Sequence, residues 1–327
     1  MSVGLIRCCI PNFSFGLVFF VSLLCVSQLP VITFAMATTT SSTNSVDPSR
    51  FVYGSDDALF GSIEQRQMGR PWGRVLDAGT GVHSLRWLAT LESLDSCTAV
   101  TADASMQTNC QREVEALGVT DRFDIIRGNW FPNAERPDET DLPALQQTTD
   151  TAKFDVILAD YLIGAMDGFS PYAQDCMLDK LTRYLEPGGR LYIVGLQPLP
   201  DTVPNDPAAT LICRIRQVRD ACILLAGHRC YREYPLTWME RQISQHSALR
   251  LCHSSQFPIL YSHATALKQI NVGRSKLSIV RRTNPILADG LARELQTLDE
   301  QLRAACDKRP GGKIELGFDY VVTAELV

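Results

Sequence analysis

Short apolar, β-prone runs alternate with helical patterns through the middle of the chain. Arg74-Val75-Leu76, Cys97–Thr101, Arg122–Ile126, Lys153–Asp160 and Arg190–Leu196 read as five strands. Lys153–Asp160, KFDVILAD, is nearly continuous in apolar residues, as a buried parallel strand should be. Asp57–Met68 reads as a first helix that stops at Gly69 before Pro71. Leu85, Leu88 and Leu91 fall at helical spacing, with Trp87 beside them. Met106–Leu117 reads as a helix closed by Gly118, and Tyr172–Leu185 as one ended by Glu186-Pro187-Gly188-Gly189. Helices are expected again over Ala208–Gly227, Thr237–His246 and from Asn284-Pro285, the last with one stripe of Leu287, Leu291, Leu295, Leu298 and Leu302. A sixth strand begins at Leu249–Cys252, and Gly317–Glu325 alternates in the manner of a final strand.

The N-terminus departs from this pattern. Residues 1–37 carry one charge, Arg7, and an apolar run covers Gly16 to Ala37. Leu17–Val26 has the length of a signal-peptide core, Ala35-Met36-Ala37 offers an A-x-A cleavage pattern, and Pro30 argues against a clean spanning helix. A removable targeting segment is therefore expected over 1–37, followed by a flexible Ser/Thr-rich lead-in at 38–50 that lacks acids until Asp47. This order suits a plastid reached through the secretory route, with the endomembrane system as the alternative; membrane contact is expected only through an uncleaved leader.

Composition narrows the remainder. The net charge of −5 gives no global basic field for nucleic acid. Of 11 cysteines, eight lie beyond the leader, and none form CxxC; buried free thiols fit better than disulfides or zinc. The five histidines have no metal spacing. Glu135, Asp138, Glu139 and Asp141 lie in a polar, proline-broken stretch and read as a solvated loop, so no metal site is expected. From Arg241 to Ala288 there is no acid but seven Lys or Arg, which read as a solvated face.

The chemistry-bearing residues gather at strand ends. Asp77 closes the first strand, and Gly79-Thr80-Gly81 follow before a helix start, with Ser84 at the third fingerprint position. Glycines permit a tight turn and close ligand approach, and the helix start offers unpaired N–H groups. Asp103, 26 residues after Asp77, precedes Ala104 at the end of the second strand, where a carboxylate can accept from both hydroxyls of a ribose. Gly128-Asn129-Trp130 follow the third strand, and Asp160-Tyr161 end the fourth.

The ordered set D-x-G-x-G, Asp103, Gly128-Asn129, Asp160-Tyr161 and L-x-P-G-G-x-L resembles the class I S-adenosylmethionine-dependent methyltransferases over about Gly73–Leu199 and the last strand. His83 stands where the family usually has another glycine, and Leu162-Ile163 replace the prolines of D/N-P-P-Y. The resemblance implies a doubly wound, Rossmann-like, seven-stranded and mostly parallel sheet. Its last strand is antiparallel, and helical insertions lie near the C-terminus. One domain would cover 51–327, with cap elements at about 205–247 and 261–313.

The resemblance also implies S-adenosyl-L-methionine as cofactor, held by Asp77, Gly79, Thr80, Gly81, Asp103, Ala104, Asn129, Trp130 and Asp160. Asn129 would accept from the adenine amino group, and Trp130 would either stack on the base or fill the core. Asp160 and Tyr161 would act at the methyl acceptor, taking its proton or facing the sulfonium. Tyr53 and Phe60 are expected to pack the sheet edge rather than cover the cleft. A small-molecule acceptor is expected before a protein side chain, and nucleic acid last. The alternatives are a nicotinamide-dependent oxidoreductase, which also places an acid at Asp103, a non-catalytic interaction protein of the same fold, and aminopropyl transfer.

Overall fold

Strand and helix starts follow the apolar pattern closely. In order they are α1 (Ala58–Gln67), β1 (Gly73–Asp77), α2 (Val82–Ala89), β2 (Leu94–Thr101), α3 (Ala104–Leu117), β3 (Phe123–Arg127), β4 (Phe154–Asp160), α4 (Leu162–Ala165) and α5 (Met177–Thr182). Then come β5 (Leu185–Leu196), α6 (Pro207–Leu225), α7 (Leu236–Gln245), β6 (Leu249–Ser262), α8 (His263–Thr283), α9 (Pro285–Asp307) and β7 (Lys313–Leu326). The computed structural model describes residues 58–133, 136, 139, 141, 142, 145 and 153–327; the targeting segment, the lead-in, Tyr53 and most of the acidic loop lie outside them.

The described strands form one sheet of order β3-β2-β1-β4-β5-β7-β6. β1 to β5 run parallel, and β7 is antiparallel to both β5 and β6. This is the doubly wound sheet that the resemblance implies, with the last strand inserted antiparallel. Within β4, Ile157 and Ala159 pack on one face, while Val156 and Leu158 pack on the other. Both faces are covered, which explains its unbroken apolar run. One layer is α1, α2 and α3, where Phe60 stacks on Trp87 with ring centroids 4.3 Å apart. Phe60 is therefore a core residue, as expected. The other layer includes α5 and α7.

Two elements differ from expectation. The helix expected over Tyr172–Leu185 shrinks to α5, preceded by a 3₁₀ turn at Gln174–Cys176. Tyr172 sits at φ 71°, which breaks any helix there. The other is α8, which the sequence pattern did not separate from its surroundings. It starts at Ser262, whose side chain accepts from the Thr265 N–H, and buries Ala266, Ile270, Gly273 and Val280. A Cβ on Gly273 would lie 3.2 Å from Leu295 of α9 and 3.5 Å from the Arg219 backbone of α6. The glycine thus permits a close three-helix crossing of α6, α8 and α9, with its own core of Ile212, Ile215, Ile270, Leu295, Leu298 and Leu302. In the expected stripe of α9, Leu295, Leu298 and Leu302 are buried but Leu287 is exposed.

The basic stretch is balanced from elsewhere in the chain. Arg250 pairs with Glu325, Arg274 with Asp299 and Arg281 with Asp289. All eight described cysteines are free thiols, and five of them are buried. Among the described residues no His/Cys/Asp/Glu group suits a metal ion, and no helix is long and apolar enough to cross a membrane.

Candidate functional site

A cleft opens along the carboxyl edge of the parallel strands. Gly79, Thr80, Gly81, Asp103, Asn129, Trp130, Asp160 and Tyr161 all line it, so most of the residues singled out in the sequence converge on one site. This is where doubly wound sheets bind ligands.

The floor is the turn after β1. Asp77 is fully buried beneath that turn and does not line the cleft, contrary to a direct cofactor contact. Its Oδ2 accepts from the Ser84 hydroxyl at 2.7 Å, while Ser84 Oγ accepts in turn from the Gly81 N–H at 3.3 Å. Ser84 therefore explains the altered fingerprint: it links the strand-end acid to the helix start. Burial lifts the Asp77 carboxyl to about 6, against the opposing hydrogen bonds from Ser84, Thr80 and the Gly79 N–H. Gly79 lets Leu162 pack close, since a Cβ there would meet Leu162 Cδ1 at 2.9 Å and push that side chain aside.

On the β2 side, Asp103 caps α3 by accepting from the Met106 N–H at 2.7 Å through Oδ1. Ala104 points away as an exposed first residue of α3; Ala102 and Met106 line the cleft instead. Beyond β3, Asn129 is committed to the loop itself. Its Oδ1 accepts from Ser170 Oγ at 2.6 Å and the Phe131 N–H at 3.2 Å, and its Nδ2 donates to the Phe169 carbonyl at 3.1 Å. Its amide oxygen thus already receives two donors from within the chain. Trp130 is buried and donates to the Ala78 carbonyl at 2.7 Å, so it packs in the core and ties two cleft loops together.

At the end of β4, Tyr161 adopts φ 49°, ψ 18°, a left-handed conformation that costs a non-glycine residue roughly 1–3 kcal/mol. That turn directs its side chain toward β7. Burial and the neighbouring Asp319, Asp160 and Glu233 carboxylates push its phenol well above the ordinary range, and the hydroxyl is hydrogen-bonded to Asp319. Asp319 pairs with Leu196, the last residue of β5, so the antiparallel strand brings its acid to the same edge of the sheet.

The segment between α6 and α7 closes the site. Tyr231 and Glu233 line the cleft, and neither was recognised in the sequence as a site residue. The segment is tethered by the Arg232 N–H to the Gly164 carbonyl at 3.3 Å, and by Arg229 Nε to the Asp167 carbonyl at 2.9 Å. Tyr320 of β7 adds a bond from its hydroxyl to the Tyr234 carbonyl at 2.9 Å, passing under Gly195. No residue from 261–313 lines the cleft, so α8 and α9 support α6 rather than cap the site.

No family model matches the sequence, and no curated protein does either. Solved structures with a similar fold include YcgJ of Bacillus subtilis, 19% identical over 82% of this chain and 97% of that one, with a TM-score of 0.44. A SAM-dependent methyltransferase from Thiobacillus denitrificans, solved with S-adenosyl-L-homocysteine, is 14% identical over 87% and 93%, with a TM-score of 0.44. Its counterpart from Geobacter sulfurreducens, also solved with S-adenosyl-L-homocysteine, is 15% identical over 87% and 93%, with a TM-score of 0.42. The sheet order described above is itself that of the class I methyltransferase fold.

Proposed function

We propose that this chain is an S-adenosyl-L-methionine-dependent methyltransferase acting on a small-molecule acceptor. The observation that carries this reading is the charge of the cleft. Among the described residues, its lining holds the carboxylates of Asp103, Asp160 and Glu233 and no Lys, Arg or His. A cofactor with a sulfonium and no phosphate suits that surface. A nicotinamide dinucleotide would bring its pyrophosphate among carboxylates, which is unfavourable.

When bound, the cofactor supplies an electrophilic methyl group. Asp103 would hold the ribose through the oxygen not engaged by Met106, and the Gly79-Thr80-Gly81 backbone would receive the methionine end. Asp160 would orient the acceptor and take its proton. The protein's main contribution is to fix two reactants in line and exclude water beneath the tethered 228–235 segment. That enclosure favours a small acceptor over a protein or RNA. We further propose that residues 1–37 direct the chain through the secretory route toward a plastid, which imaging of a fusion carrying that segment would test.

Calorimetric titration with S-adenosylmethionine, S-adenosylhomocysteine and NADH tests the cofactor. Micromolar binding of the first two alone is expected; binding of NADH alone refutes the reading. Asp160→Asn is expected to abolish turnover while S-adenosylhomocysteine still binds.

A further inference from the structure

The methyltransferase reading gives a role to Asp103 and Asp160 but none to Glu233. This carboxylate stands on the segment between α6 and α7 and lines the same cleft. Its Oε2 sits against Gly164, where an added Cβ would come within 2.5 Å. The groups that face it are Asp319 of β7 and Arg219 of α6. Tyr161, Tyr231 and Tyr320 also feel its charge. Arg219 is already engaged, with its guanidinium 2.6 Å from Asp220 and bonded to Gln269. No hydrogen bond or ion pair joins Glu233 to any described residue. An enclosed carboxylate beside a second carboxylate, with the nearby cation occupied, is an anion without a counterpart. Burial and Asp319 accordingly raise the Glu233 carboxyl to about 7.

The rings around it have matching chemistry. Tyr161 and Tyr231 line the cleft beside Glu233, and Phe169 stands partly exposed on the same lining. Aromatic faces with a carboxylate form the usual environment for an organic cation. A divalent metal is disfavoured, because no set of three ligands converges among the described residues.

We propose that Glu233, with Asp160 and the rings of Tyr161 and Tyr231, forms a subsite for a protonated amine, so that the methyl acceptor is an amine: the bound ammonium would pass one proton to Asp160, and the freed nitrogen lone pair would take the methyl group as its bond to sulfur breaks and S-adenosylhomocysteine leaves. This inference rests on the methyltransferase reading for the word acceptor; the amine subsite itself does not. Glu233 is a specificity-determining residue here, and Asp319 strengthens the negative field from behind Tyr161.

Calorimetry on the full chain tests it with matched probes: 2-phenylethylamine, 2-phenylethanol and phenylacetate, then 1,4-diaminobutane, 1,4-butanediol and succinate. Each is titrated into the free protein and into its S-adenosylhomocysteine complex. Amines are expected to bind at least about tenfold more tightly than their alcohol or carboxylate counterparts. Glu233→Gln is expected to remove about tenfold of amine affinity while changing S-adenosylhomocysteine affinity by less than about twofold. Amine binding to the unaltered protein at pH 7 is also expected to release protons, seen by repeating the titration in buffers of different ionisation enthalpy. Glu233→Asp, which keeps the charge, serves if the glutamine variant fails to fold, and is expected to retain the amine preference. Equal or better binding of alcohols or carboxylates, absence of amine binding, or full amine affinity in Glu233→Gln overturns the proposal. Failure of S-adenosylhomocysteine to bind the unaltered protein strikes the methyltransferase reading instead, and the amine preference is then judged on the free protein.

Discussion

Replacing Asp77 with asparagine isolates what a buried strand-end acid costs. Asp77 is fully buried, with Oδ2 held by the Ser84 hydroxyl. Its carboxyl titrates at about 6 in the folded protein against an ordinary 3.8. A raised carboxyl means that the folded state binds the extra proton between those values, so stability falls as pH rises through that window. The full difference is about 3 kcal/mol, on the order of half of which develops between pH 5 and pH 8. The amide cannot ionise and carries no such slope. Urea unfolding of both proteins at pH 5 and pH 8 gives the double difference, in which every other titrating group cancels. The unaltered protein is expected to lose about 1.5 kcal/mol more than Asp77→Asn across that interval. Parallel losses, within about 0.5 kcal/mol, would refute the reasoning that burial dominates the environment of Asp77.

Other perturbations separate the parts of the site. Asp103→Ala removes the α3 cap and should lower stability by about 1 kcal/mol in urea, while weakening S-adenosylhomocysteine binding more than that loss alone explains. Gly195→Ala places a methyl group within 2.4 Å of the Tyr320 ring, and about 1–3 kcal/mol of destabilisation is expected by thermal or urea unfolding. Gly164→Ala displaces the Glu233 carboxylate; amine affinity should fall in calorimetry with little change for S-adenosylhomocysteine. Ser84→Ala strips the charged hydrogen bond from Asp77 and should cost about 1.5–3 kcal/mol at pH 8 and less at pH 5, where the acid is mostly protonated.

The half of the site nearest β1 to β4 was legible because its determinants are local. A strand end, a glycine pair and a helix start lie within a few residues, so the pattern around Asp77, Asp103 and Asp160 places each at the sheet edge without tertiary knowledge. The details of contact were not legible. Whether Asn129 has a free amide oxygen depends on Ser170, which is distant in sequence. Ala104 and Ala102 differ only in which side of the strand-to-helix turn they occupy. The other half depends on pairing across the chain. Asp319 reaches the site only because β7 enters antiparallel beside β5, and Glu233 only because Tyr320 and Gly164 hold its segment. α8 escaped notice because Gly273, a poor helix former, sits where three helices cross.

The position of β7 also sets an order of events in time. β1 to β5 can pair with one another as soon as they and their crossover helices are made. β6 lies at the sheet edge and is joined to it through β7. The pairing of Arg190 with Glu325 must close the longest loop in the sheet, and such closures are slow. The nucleoside side of the cleft would therefore take shape during early refolding, while the acidic side waits for β7 to slot between its neighbours. Recovery of amine recognition should lag behind recovery of helical structure after denaturant is diluted.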